Sequence, residues 1–189
     1  MVDEPSETES AILDAALAEV LDHGIRRTTV SDIARRSGLS RQTVYRYWPD
    51  AQSVFAALVT RELVAALPTG LPERATLEST VAVFVETADR VRRMPLVERL
   101  RDTDPELFAR YILDRLGTSQ RAIHAETARR LSAGQASGDL RAGDPLQLAA
   151  MVLLIAQSAV QSAPLVAEWL PGEAWRTELT AALTGYLRP

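Results

Sequence analysis

The stretch from Thr29 to Trp48 constrains this chain more than any other, because it holds two short helical patterns separated by a tight turn. Thr29-x-x-Asp32 reads as a capping box, in which a hydroxyl accepts from a backbone N–H and the acid three residues on returns a bond. It opens a helix through about Ser37, with Val30, Ile33 and Ala34 facing inward. Ser37-Gly38-Leu39-Ser40 then reads as a turn: glycine tolerates the left-handed conformation, Leu39 can plug a core, and Ser40 can cap the next helix. Arg41 to Trp48 makes a further helix of about two turns, too short to persist in isolation, so Val44 and Trp48 must pack it down.

The other face of that helix carries Arg41, Gln42, Thr43, Tyr45, Arg46 and Tyr47 and no acid. Guanidinium, amide, hydroxyl and aromatic groups together suit base edges and phosphates. The net charge of −4 argues against a polyanionic partner only until its distribution is considered. Residues 24–48 contain Arg26, Arg27, Arg35, Arg36, Arg41 and Arg46 against Asp32, a local +5 that leaves −9 for the remainder. An acidic body with one basic patch orients itself on nucleic acid.

The absence of cysteine excludes disulfides, thiolate metal sites and thiol nucleophiles. His23 and His124 stand in no ligand spacing, so no metal and no cofactor is expected. No acid pair and no Ser/His/Asp set can be placed together, so no catalytic residue is named and an enzyme is not expected. The acidic start MVDEPSETES lacks the pattern of a secretion signal, and the longest apolar run, Leu148 to Ala156, has half the length of a membrane span. A cytoplasmic protein is expected.

The rest of the chain reads as all-α, with about nine helices and no strand-like alternation. Ser6-x-x-Glu9 opens helix 1, which carries Ile12, Leu13, Ala16, Leu17, Val20 and Leu21 and stops at Gly24. Asp50 caps a fourth helix over about 51–67, which links residues 1–50, a DNA-binding domain, to residues 51–189. Helical patterns follow from Glu73, break near Met94-Pro95, continue as a brief helix through Arg101, and resume from Asp104-Pro105 through about Ser137 despite Gly117 and Gly134. Leu146 to Ser162 is apolar nearly all round, and its expected partner is Ala174 to Leu187.

Two short helices joined by a tight turn, the second polar and basic, form a helix-turn-helix pattern, which places its second helix in the DNA major groove. Its residues resemble those of the tetracycline-repressor (TetR) family: Thr29, Ile33, Ala34, Gly38, Ser40, Thr43, Tyr45 and Trp48 all fall at characteristic positions. The close resemblance covers about residues 10–65. It implies a homodimeric repressor, with an N-terminal three-helix domain on palindromic operator DNA. It also implies a C-terminal helical domain that binds a small effector and the sister subunit.

Carried over by position, the resemblance makes Thr29 and Tyr45 phosphate contacts and places Arg41, Gln42, Thr43 and Arg46 at or beside base-reading positions. Ser40 joins them at the helix start, and Tyr47 flanks the backbone. Ala51 stands where many relatives carry lysine, so one phosphate contact that the resemblance implies is missing, with Arg46, Arg36 and Arg26 as the candidates to substitute for it. The expected effector residues are Phe84, Met94, Phe108, Tyr111, Ile112, Met151, Ile155, Gln157 and Trp169, with plain core packing as the alternative. A cavity so lined would favour an apolar ligand. Leu146, Ala149, Val152, Leu153, Ala156 and Val160, with Leu179, Leu183 and Tyr186, are the expected dimerisation residues. Rival readings are an activator, a ligand-independent DNA-binding regulator, a helical adaptor and a small all-α enzyme.

Overall fold

A computed structural model describes residues 6–68, 75–103, 106 and 118–189. Among them are nine α-helices and no strand: α1 Glu7–His23, α2 Val30–Ser37, α3 Arg41–Tyr47, α4 Ala51–Ala65, α5 Leu77–Arg92, α6 Pro95–Thr103, α7 Thr118–Ala136, α8 Pro145–Ser162 and α9 Gly172–Leu187. The fold is all-α. The chain forms two compact units, Met1–Glu62 with Met94–Gly117, and Leu63–Arg93 with Thr118–Pro189.

The first unit differs from a domain ending at residue 50. Most of α4 belongs to it because Val54, Phe55 and Leu58 are buried in its core. The later helix α6 belongs to it as well, since Leu96 and Leu100 fill the same core beside Ile12, Ala16 and Val20. Sequence distance hid this, because the apolar face of α6 is silent about which neighbour it meets.

Helix ends follow their side chains. Ser6 and Glu9 exchange the two bonds of a capping box at the start of α1. The Asp50 carboxylate accepts from the Ser53 amide at 2.7 Å and starts α4, which ends at Ala65, two residues short of the expected Leu67.

In the second unit, α5, α7, α8 and α9 enclose Val81, Val85, Leu131, Val152, Leu179 and Leu183. Asp144 caps α8 by accepting from the Leu146 amide at 2.8 Å. The expected long helix through Ser137 is seen as Thr118–Ala136, and residues 107–117 lie outside the described set. Gly134 is needed there, because a Cβ would collide with the Leu140 side chain. Asp89, 1% exposed, joins α5 to α9. Its carboxylate takes Arg92 at 2.6 Å, Arg176 at 2.5 Å and also Arg93.

With the 3-10 turn that follows it, α8 forms Pro145–Val166, which is long and apolar enough to cross a membrane, with a mean hydropathy of 1.6. Counting uninterrupted apolar residues missed this, since Gln157, Ser158 and Gln161 break the run without lowering the mean far.

Candidate nucleic-acid interface

The recognition element is built from its turn outward. The Thr29 hydroxyl accepts from the Asp32 amide at 3.3 Å and donates to the Asp32 carboxylate at 2.6 Å, while the Thr29 amide donates to that carboxylate at 3.1 Å. These bonds, the hydroxyl contributing most, with Arg35 adding a smaller pull, hold Asp32 below the usual carboxylate range. At the other end of α2, Gly38 takes the left-handed conformation at φ 71° and its amide closes on the Ala34 and Arg35 carbonyls. Ser40 then caps α3, accepting from the Thr43 amide at 3.0 Å.

Val44 is the anchor of α3, fully buried in the first core, and Trp48 packs half-buried against that core, as the i+4 spacing from Val44 predicts. This seating turns the opposite face outward: Arg41, Gln42, Tyr45 and Arg46 are exposed and Thr43 and Tyr47 are partly so. No described residue hydrogen-bonds the side chains of Arg41, Gln42 or Tyr45. The Arg46 guanidinium lies 5.3 Å from the Tyr47 ring centroid. The neighbouring Ser6 side chain first and Thr8 second lower the Tyr47 phenol below its ordinary range.

The arginines divide into two groups. Arg35 pairs with Asp32 at 2.9 Å and Arg26 with Glu106 at 3.2 Å. Arg36 donates from Nε to the Glu19 carboxylate at 2.8 Å and from Nη2 to Asp22 at 2.6 Å. The Asp22 bond, followed by that from Glu19, raises the Arg36 pKa. Of the three arginines considered as replacements for the lysine missing at Ala51, Arg26 and Arg36 are engaged by acids, and Arg46 lies against the Tyr47 ring. Glu19 was not anticipated, although an acid beside Val20 in the buried stripe of α1 is the kind of signal that marks a paired charge.

The described effector candidates fall in both units. Phe84 is buried in the second core and Ile155 packs against it, whereas Met94 packs against the core of the other unit. Met151 is exposed and Trp169 is 73% exposed. Gln157 is half-buried on α8. Phe108, Tyr111 and Ile112 lie outside the described residues. A cleft of about 540 Å3 runs between α8 and α9, with the expected Ile155 and also Leu154, Leu170, Trp175 and Leu179 among its walls.

The expected dimerisation residues also separate. Ala149, Val152, Val160, Leu179 and Leu183 are buried inside the protomer, so their side chains are not available to a partner. Leu153, Ala156 and Tyr186 are half-buried, and Arg141 lies over the Tyr186 ring. Leu146 is exposed, as are Leu154, Leu165 and Trp169, which periodicity alone did not single out for this role.

Residues 12–58 match the family described as bacterial regulatory proteins, tetR family. An HTH-type transcriptional regulator of Mycobacterium bovis is 44% identical over 187 residues, which cover 99% of this chain and 98% of the relative. The HTH-type transcriptional repressor AcnR of Corynebacterium glutamicum is 26% identical over 142 residues, 73% of each chain. Among solved structures, FadR of Bacillus subtilis in complex with stearoyl-CoA shares the fold, with a TM-score of 0.67, 16% identity, and coverage of 94% of this chain and 98% of that one. The capped turn, the anchored α3 and a relative similar over its full length agree: the chain belongs to the TetR family of bacterial transcriptional regulators.

Proposed function

We propose that the protein is a repressor that binds a palindromic operator as a homodimer and is released by a small apolar effector. The observation that carries this reading is the outward face of α3, where Arg41, Gln42 and Tyr45 stand exposed without a described hydrogen-bond partner while Val44 fixes the helix from behind. Groups left unpaired on an acid-free face are available for phosphates and base edges. Thr29, Ser40, Thr43, Arg46 and Tyr47 border that face.

Self-association is supported by α8. Few residues of its apolar stretch are fully buried and several are exposed, so part of that apolar surface is uncovered by its own protomer. Leu146, Met151 and Leu154 supply the exposed apolar side chains. A two-fold dimer places two α3 helices on half-sites about 34–36 Å apart. The α8–α9 cleft, apolar in its walls, supports an apolar effector, and the stearoyl-CoA bound to the similarly folded FadR carries an apolar acyl chain. The effector acts to the extent that it prefers the conformation that does not fit DNA. A chromosomal target places the protein in the cytoplasm.

A mobility-shift assay with the DNA flanking its own gene tests the reading. A discrete complex on a palindromic segment supports it, and failure to bind any such segment at low salt overturns it.

A further inference from the structure

We infer that Glu19 and Arg36 form the positioning device that sets the recognition helix, and that Arg36 is thereby withheld from DNA. This rests on the DNA-binding reading above and concerns residues behind the contact face.

Glu19 lies in the stripe of α1 that also buries Ile12, Ala16 and Val20, and it is 3% exposed. A carboxylate so placed has lost water on nearly every side and needs a cation with good geometry. Arg36, on the last turn of α2, supplies it through Nε at 2.8 Å. His23 Nε2 sits 3.7 Å from the second Glu19 oxygen, and Arg36 spends Nη2 on Asp22 one turn further along α1. One guanidinium thus spans two acids of the same helix.

The rest of the α1–α2 contact is apolar, through Ile33 and Ala34. Apolar burial holds helices together without choosing a rotation. A planar guanidinium fork does choose one, because its donors leave at fixed angles. Arg36 is two residues from Gly38 and four from Ser40, so the rotation it fixes is passed through a tight turn into α3. Arg99 Nη2 donates to the Asp22 carbonyl at 3.2 Å, so α6 holds the same end of α1 that Arg36 grips.

The two roles open to Arg36 differ in sign and in salt dependence. Replacing Glu19 removes a negative charge, and electrostatics alone then tightens binding to any DNA. A positioning role predicts weaker binding to the chosen sequence only. The experiment uses a duplex selected by the wild-type protein from a random library, with a random-sequence duplex as control, over a series of salt concentrations. Wild type is compared with Glu19→Gln, Arg36→Gln, Arg36→Lys and the Glu19→Gln/Arg36→Gln double variant. Hydrogen exchange of the α2 and turn amides is followed in each, with thermal melting to verify the fold.

The expected result is about a tenfold loss on the selected duplex for each Gln single variant, the scale of one charged hydrogen bond. Binding to the random duplex stays level or tightens for Glu19→Gln, and the salt slope is unchanged for Arg36→Gln. The double variant loses less than the sum of the singles. Arg36→Lys, which keeps the charge and loses the fork, is intermediate and covers the case in which a Gln variant fails to fold. Equal losses on both duplexes with a salt slope lower by about 1 make Arg36 a phosphate contact and overturn the inference, as does wild-type affinity of Glu19→Gln for the selected duplex. If the wild-type protein selects no sequence, the DNA-binding reading fails instead. Exchange then decides: faster α2 exchange in Arg36→Gln supports the brace and unchanged exchange refutes it.

Discussion

Val44 and Tyr45 are chain neighbours that face opposite ways: Val44 is fully buried and Tyr45 is 52% exposed. Their substitutions should separate folding from binding. Val44→Ala removes two buried methyl groups from the only fully buried side chain of α3 and should cost about 2 kcal/mol of stability. Tyr45→Ala should leave the melting temperature within a degree or two while weakening DNA binding. Calorimetry and a mobility shift on the two variants check the pair.

Arg41 sits at the first turn of α3 with no described partner to lose. Arg41→Ala should therefore not destabilise the fold. If Arg41 reads a guanine in bidentate fashion, specific binding falls by about 1–3 kcal/mol and the base preference relaxes at one position. Equal losses on selected and random duplexes would assign Arg41 to a phosphate.

Asp89 gathers Arg92, Arg93 and Arg176 around one buried carboxylate, and Arg92 in turn lies 4.6 Å from the Trp175 ring centroid. Asp89→Asn should be among the most damaging single changes in the second unit, costing about 3–5 kcal/mol, because it strands the partly buried Arg92 beside an amide. Arg93→Ala should cost under about 1 kcal/mol, since its side chain is largely exposed. Denaturant unfolding of the two variants makes the comparison.

Acid should loosen the N-terminus of α2 only once Asp32 is protonated. The Asp32 pKa is depressed below 3.8 in the fold, so its contribution is fully present above that value. That contribution is lost as pH falls through the depressed folded value. NMR titration should give an Asp32 midpoint below 3.8, with the Thr29 and Asp32 amides shifting together. Asp32→Asn should abolish that coupled shift.

The first unit was legible where local chemistry decides the outcome. Thr29, Gly38, Ser40 and Asp50 each act within three or four residues of themselves, so their roles can be read from spacing alone. The partition of the arginines was not legible, because Arg26 meets Glu106 and Arg36 meets Glu19 across long stretches of sequence. The same limit applies to α8. Its apolar residues recur on every side, so periodicity could not say that Ala149 and Val152 face inward while Leu146 and Leu154 face out. It equally could not assign α6 to the first unit.

The capping box at Thr29 bears on how a phosphate can be received there. A threonine hydroxyl owns one proton, and at Thr29 that proton points at Asp32 across 2.6 Å. A phosphate oxygen can only accept, so it must draw the proton away from a carboxylate that already holds it. A DNA phosphate docking at Thr29 would thus be an exchange of acceptors, in which Asp32 surrenders one of its bonds as the phosphate gains one. The side chain that starts the helix would then be a contact whose strength is set by how readily Asp32 lets go.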